Sequence, residues 1–319
     1  MLAGVIVGLA PGMLGCGGPA ETPSEEEPPA MPTDERPLEA TSLLGTPLHR
    51  PELPPERQAE LEANLAEAGA QLAERPDDPA AIVWVGRRQA YLGRYNDAIA
   101  TYTRGIEAHP DSPHLYRHRG HRYITIRKFP EAIADFEKAV QLIAGQPDEV
   151  EEDGAPNPAG IPRSTLQSNI WYHLGLAHYL RGDFEMALEA YLPCMEVSKN
   201  DDMLVATADW LYMTYRRLGR GAEAAAVLDR IHADMEILEN TAYHSRLLMY
   251  KGEVEPDTLL NPNGTDALQL ATQGYGVGNW YLYNGDTARA REIFEQILEG
   301  GSWAAFGFIA AEAELQRGM

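Results

Sequence analysis

Residues 79–146 read PAAIVWVGRRQAYLGRYNDAIATYTRGIEAHPDSPHLYRHRGHRYITIRKFPEAIADFEKAVQLIAGQ, and this stretch decides the fold. A first helical pattern carries Trp84, Gly86 and Tyr91, and Leu92-Gly93-Arg94 makes a turn. A second pattern carries Ala98 and Tyr102 and stops at Pro110. The same order returns with Tyr116, Gly120, Tyr123, Phe129, Ala132 and Phe136, and Ala98 and Ala132 stand 34 residues apart. A helical hairpin repeated at that period cannot bury both of its faces, so copies must stack. On each second helix the alanine stands where the first helix crosses closely, because close packing leaves no room there for more. One turn later a large residue fills the gap toward the next hairpin.

Working outward, the chain from here to its end resembles the tetratricopeptide-repeat family, on that period and on its Gly–aromatic–Ala–aromatic order. The resemblance implies an all-α helical-hairpin solenoid over residues 56–319. Repeats fall at about 79–112 and 113–144. A third, at 168–201, carries Trp171, Gly175, Gly182, Phe184, Ala187 and Tyr191, with Pro193 expected to kink its second helix. A fourth spans 205–238, a degenerate copy 239–262, and a fifth 271–302 with Gly278, Gly285, Ala290 and Phe294. Residues 56–74 form a leading helix. Residues 303–317 form a capping helix, with its apolar face on the fifth repeat and Glu312 and Glu314 toward water. Residues 145–163 break the period as an acidic, Pro-containing insertion, and such insertions are functional or disordered.

Upstream, Leu2 to Leu9 is an apolar run too short to span a bilayer. With Gly15-Cys16 behind it, the start resembles a bacterial lipoprotein signal, which implies a signal peptide over 1–15 and lipidation of Cys16. The match is loose at Met13 and Leu14, and no Lys or Arg precedes Arg36. Residues 16–55 are rich in Pro and Glu and poor in large apolar side chains, so they read as a disordered, self-repelling tether. The less polar part, from Thr41 to Leu53, has the composition to dock on the solenoid.

The chain has 319 residues, a formal net charge of -22 and two cysteines, Cys16 and Cys194. That charge disfavours nucleic acid and bare anionic lipid as partners. Two distant cysteines build neither a disulfide framework nor a zinc site. No nucleotide loop, nucleophile elbow or zinc-protease motif occurs, so no enzyme activity and no cofactor or metal is expected. His114 and His118 share a helix face, but Arg117, Arg119 and Arg122 would repel a cation. Arg119 stands where the repeat buries an aliphatic residue, so a carboxylate must meet it.

The resemblance implies a concave groove lined by one stripe of each first helix. On this chain the stripe carries Arg87, Tyr91, His114, Arg117, His121, Asn169, Tyr172, Tyr179, Asp209, Met213, Arg216, Arg217, Tyr275, Asn279 and Tyr283. The family's clamp for C-terminal carboxylates is absent, since Val83 and Arg87 replace its Lys and Asn. A basic, aromatic stripe suits a protein or peptide partner of acidic character. The expected function is a protein-interaction scaffold, lipid-anchored at the bacterial cell envelope and facing the periplasm or the exterior. The alternative is a glycan or small-ligand binder stacking sugars on Tyr91, Tyr172, Tyr179 and Tyr283. Nothing here sets an oligomeric state. Two expectations compete for the insertion: a solvated linker, or a tethered competitor that presents Asp148, Glu149, Glu151, Glu152 and Asp153 to the groove.

Overall fold

The computed structural model describes residues 35–260 and 267–319. The signal-like run, Cys16 and the tether up to residue 34 lie outside the described residues. Residues 36–319 form one unit. Its helices are α1 (Pro55–Glu74), α2 (Pro79–Tyr91), α3 (Tyr95–Ala108), α4 (Pro113–Thr125), α5 (Phe129–Ile143), α6 (Leu166–Arg181) and α7 (Phe184–Val197). After them come α8 (Asp201–Arg217), α9 (Gly221–Val227), α10 (Thr241–Tyr250), α11 (Ala267–Tyr283), α12 (Thr287–Glu299) and α13 (Phe306–Arg317). The architecture is an all-α helical-hairpin solenoid. Among the described residues, the second element of the degenerate copy is a 3₁₀ turn, Pro256–Leu260.

Local chemistry sets the ends of these helices. Asp78 caps α2 through the Ala80 amide at 2.9 Å, with Pro79 at the first helical position. Thr165 and Ser168 form a capping box on α6. The intra-hairpin turns need a left-handed residue, and Gly93, Gly182, Gly219 and Gly285 supply it. At the equivalent turn before α5 the residue is Arg127, with φ 64°. A left-handed arginine is strained, and its side chain has a long-range task described below.

Within a hairpin, glycine admits the aromatic. A Cβ on Gly86 would lie 2.3 Å from Tyr102, on Gly120 2.9 Å from Phe136, on Gly175 2.6 Å from Tyr191 and on Gly278 2.5 Å from Phe294. The same rings reach onward: Tyr102 stacks on His118 at 5.9 Å and Phe136 on His173 at 5.8 Å. Tyr102 and Phe136 therefore fill their own hairpin's crossing as well as the gap to the next. Ala98, Ala132, Ala187, Ala224 and Ala290 are 0% exposed beside them. Replacing Ala132 or Ala187 with Leu is expected to cost about 1–3 kcal/mol through overpacking. Unchanged thermal melts for both variants would mean that these positions are not the crossings.

Two chain segments depart from the sequence reading. Residues 36–54, read as the end of the tether, fold: β1 (Leu38–Thr41) and β2 (Pro47–His49) pair antiparallel. Glu39 is buried and accepts bonds from Arg50 at 2.7 Å and from the Asn96 amide at 3.1 Å, at the N-terminus of α3. That helix end favours a carboxylate, and Leu48 adds an apolar anchor. Helix α13 likewise does not turn Glu312 and Glu314 to water. They are 1% and 0% exposed, because Arg127 meets Glu312 and Arg217 and Arg317 meet Glu314.

Candidate functional site

The first helices α2, α4, α6 and α8 neighbour one another and form the inner wall. Arg87, Tyr91, His114, Arg117, Asn169 and Tyr172 stand on that wall, and the chain itself covers it in two places.

The first cover is the acidic insertion. It is not a free linker, because its residues 149–154 lie along α2, α4 and α6. Arg87 donates to the Glu152 carbonyl at 2.8 Å and Arg88 to the Gly154 carbonyl at 3.1 Å. Both guanidiniums lie over the Trp84 ring, which fixes their planes. The Glu151 carboxylate is the centre of the contact. It lies 3.1 Å from Arg117 Nη2 and 3.3 Å from His118 Nε2, and it accepts from Asn169 Nδ2. Glu149 meets His114 at 2.9 Å, nearer the surface. Arg117 Nη1 also lies 2.9 Å from His118 Nδ1. A guanidinium can only donate, so Nδ1 accepts and the imidazole proton sits on Nε2, facing Glu151. Burial alone would raise the Glu151 carboxyl, but Arg117 and His118 outweigh it and hold the group well below the usual carboxylate range. Burial and the Arg117 charge keep His118 neutral, with its pKa well below that of a free histidine.

The second cover is the C-terminal segment. Arg127 places Nε and Nη2 at 3.0 and 3.1 Å from the Glu312 carboxylate, and Nη2 also donates to the Trp303 carbonyl at 2.8 Å. Trp303 packs edge-on against Tyr95 and donates to the His49 carbonyl at 3.0 Å, so hairpin and C-terminus meet. Arg217 and Arg317 share Glu314 at 2.7 and 2.8 Å. Phe306 lies 5.3 Å from the His121 ring and 5.6 Å from the His173 ring.

Several residues read as groove-lining are therefore interior. Tyr179, Tyr275 and Asn279 are 0% exposed and hydrogen-bonded together, with Tyr275 3.2 Å from Glu314. Asp209 is buried in an ion pair with Arg246 at 2.6 Å, and Met213 touches the same guanidinium. Arg217 and His121 face the C-terminal segment. Their stripe register placed them inward, but that surface is core once α13 closes over it. Arg216 and Tyr283 form a separate patch, ring over cation at 4.2 Å, with Arg216 also donating to Asn284 at 3.0 Å. Tyr172 is tied up by Trp210 at 2.7 Å and Tyr243 at 3.1 Å. Arg119 finds its carboxylate in Asp135, at 2.8 and 2.7 Å.

The sequence reading left out Arg88, Trp84, Ser164 and Arg127 as working residues. Only Arg127 carried a signal, as the one turn residue where the sister repeats have glycine. Among the described residues, no three His, Cys, Asp or Glu side chains gather as metal ligands, and no helix is long and apolar enough to cross a membrane.

The buried imidazoles imply a pH dependence. Burial lowers His173 to about 3 and His121 well below 6.5. With folded values below the unfolded one, this stability is complete above pH 6.5 and is lost as pH falls toward the folded values. Each histidine adds a slope of up to about 1.4 kcal/mol per pH unit. Thermal midpoints should therefore drop between pH 7 and 5, and His173→Phe should flatten the fall. A flat profile in the parent protein would contradict the neutral imidazoles.

Profiles of the tetratricopeptide repeat match residues 86–147 and residues 168–201. No curated protein matches the chain. Among solved structures, YrrB, described as a TPR protein with an unusual peptide-binding site, is similar at 16% identity and a TM-score of 0.42, covering 73% of this chain and 91% of its own. PilW, described as a type IV pilus biogenesis factor, is similar at 14% identity and a TM-score of 0.45, over 76% of this chain and 87% of its own. A tetratricopeptide repeat protein from Parabacteroides merdae is similar at 14% identity and a TM-score of 0.46, over 82% and 93%.

Proposed function

Because the chain is a tetratricopeptide-repeat protein, we propose that it is a protein-interaction scaffold that docks an acidic partner segment on the α2–α4–α6 wall. One observation carries the reading. That wall holds an acidic segment in the way a bound peptide is held, by its carbonyls through Arg87 and Arg88 and by one buried carboxylate through Arg117, His118 and Asn169. Charge-assisted bonds of this kind are the strong ones. Contacts to the backbone add affinity without restricting sequence.

The proposal includes the membrane. A lipid on Cys16 would tether the scaffold at the bacterial envelope, and Cys16→Ser should then release it from membranes. Recovery of the unaltered protein in the soluble cytoplasmic fraction would sink that part. The docking part is tested by photo-crosslinking in cells. A crosslinker in place of His114 should capture a partner that salt removes, whereas one in place of the exposed Glu137 on α5 should not. Equal capture at both sites, or none at position 114, would refute the wall as a docking surface. A second reading, a small polar ligand or glycan, has one observation behind it: a cavity of about 270 Å³ bordered by Tyr172, Tyr243, Asn169 and Thr207. A glycan array probed with the soluble body decides it.

A further inference from the structure

The segment already seated on the wall shows what the wall selects, given the docking reading above. Its backbone is extended. Val150 bridges Thr165, the Glu151 amide donates to the Ser164 carbonyl at 3.1 Å, and the Leu166 amide donates to the Glu149 carbonyl at 2.9 Å. A strand laid there gains backbone bonds whatever its sequence.

Four positions are not neutral. At 151 the site is complete for a carboxylate and leaves it 8% exposed. At 150 the side chain borders a cavity of about 390 Å³ whose walls include Pro79, Val83 and Trp84. Valine fills it poorly and stays 64% exposed, so a larger apolar side chain would fit better. At 154 a side chain is disfavoured, because a Cβ would stand 2.0 Å from the Tyr91 hydroxyl and 2.8 Å from its ring, so Tyr91 would have to move. At 153 the resident residue is a poor choice, because one Asp153 carboxylate oxygen is buried with no hydrogen-bond partner. An unmet buried acceptor weakens the contact. Position 152 is read only through its carbonyl, and its side chain is exposed.

We propose that the wall recognises an extended segment of a partner protein with the order apolar–Glu–x–x–Gly, and that Val150–Gly154 is an imperfect resident copy that the partner displaces. The tethered copy acts at an effective concentration on the order of millimolar. It therefore sets a threshold that only a better-fitting segment passes. The flaws at Val150 and Asp153 keep that threshold low enough to cross.

The test uses a labelled peptide of residues 148–156 and the full chain with residues 148–154 replaced by a Gly/Ser run of equal length. Fluorescence anisotropy should show binding to that chain, and binding about tenfold or more weaker to the unaltered chain. In the peptide, Glu151→Gln should weaken binding about tenfold or more and Gly154→Val should weaken it several-fold, while Val150→Leu and Asp153→Ala should each tighten it several-fold. Because the replaced chain could lose its fold, the single variant Glu151→Gln of the full chain is measured beside it. That variant should admit the unaltered peptide better than the parent does. Equal binding of the parent, Glu151→Gln and Gly154→Val peptides would overturn the sequence preference. Equal peptide binding by the unaltered chain and the Glu151→Gln chain would overturn displacement. A partner crosslinked at position 114 that lacks this order would overturn the inference while leaving the docking surface standing.

Discussion

Asp209→Asn is expected to destabilise the protein by about 3–5 kcal/mol, the usual cost of removing one partner from a buried ion pair. Arg246 and Asp209 are 1% and 0% exposed and 2.6 Å apart, and the guanidinium also donates to the Thr272 carbonyl, the Met213 sulfur and the Tyr250 hydroxyl. None of these three neutral groups can neutralise a charge. Gly276 adjoins the same group, and a Cβ there would meet Arg246 Nε at 2.0 Å, so glycine is what lets the guanidinium lie against α11. The pair joins α8 to α10 and α11, across the degenerate repeat, whose second element among the described residues is a 3₁₀ turn. Its loss should uncouple the two ends of the solenoid. For a unit of this size the main thermal midpoint should fall by about 10 °C, and a repeat array can then melt in two steps. The double variant Asp209→Leu with Arg246→Met should recover most of the loss, since an apolar pair of similar volume replaces a desolvated one. A single variant that melts like the parent would mean that the pair is hydrated in solution.

The second large effect concerns the C-terminal cover. Glu312→Ala leaves Arg127 buried without its carboxylate, and a loss of about 3–5 kcal/mol is expected. The readout specific to this role is local. Amide exchange should rise first in α13 and in the segment around Trp303, and then at His121 and His173 on the wall beneath. Arg127→Gly is the informative contrast. It restores the glycine found at Gly93, Gly182, Gly219 and Gly285, and so relieves about 1–2 kcal/mol of left-handed strain. It should therefore cost less than Glu312→Ala, although it removes the same pair. If Arg127→Gly proves the more damaging, the strain argument is wrong.

Much of the fold was legible because it is written locally. The caps and the turn glycines are set within a turn or two, and the glycines beneath Tyr102, Phe136, Tyr191 and Phe294 within one hairpin, which recurs at the repeat period. The demand of Arg119 for a carboxylate was equally legible, and Asp135 meets it from the second helix of the same hairpin. The candidate site was half legible. The stripe rule put Arg87, His114, Arg117 and Asn169 on one wall. It also put Tyr179, Tyr275 and Asn279 there, which the structure buries. The two sets look alike in sequence, because both follow the same helical register. What separates them is which other segment lies over the wall.

By itself, then, the sequence determined the hairpins, their order and the sign of the inner wall, since each follows from short-range sterics, helix periodicity and side-chain charge. Tertiary structure alone decided what covers that wall. Arg127 with Glu312 spans 185 residues, Trp303 with His49 254, and Arg87 with Glu152 65. No local pattern encodes such pairings. A buried carboxylate and a solvated one are spelled with the same residue, and only the closing of the chain over Glu151, Glu312 and Glu314 removes the water that would otherwise have solvated them.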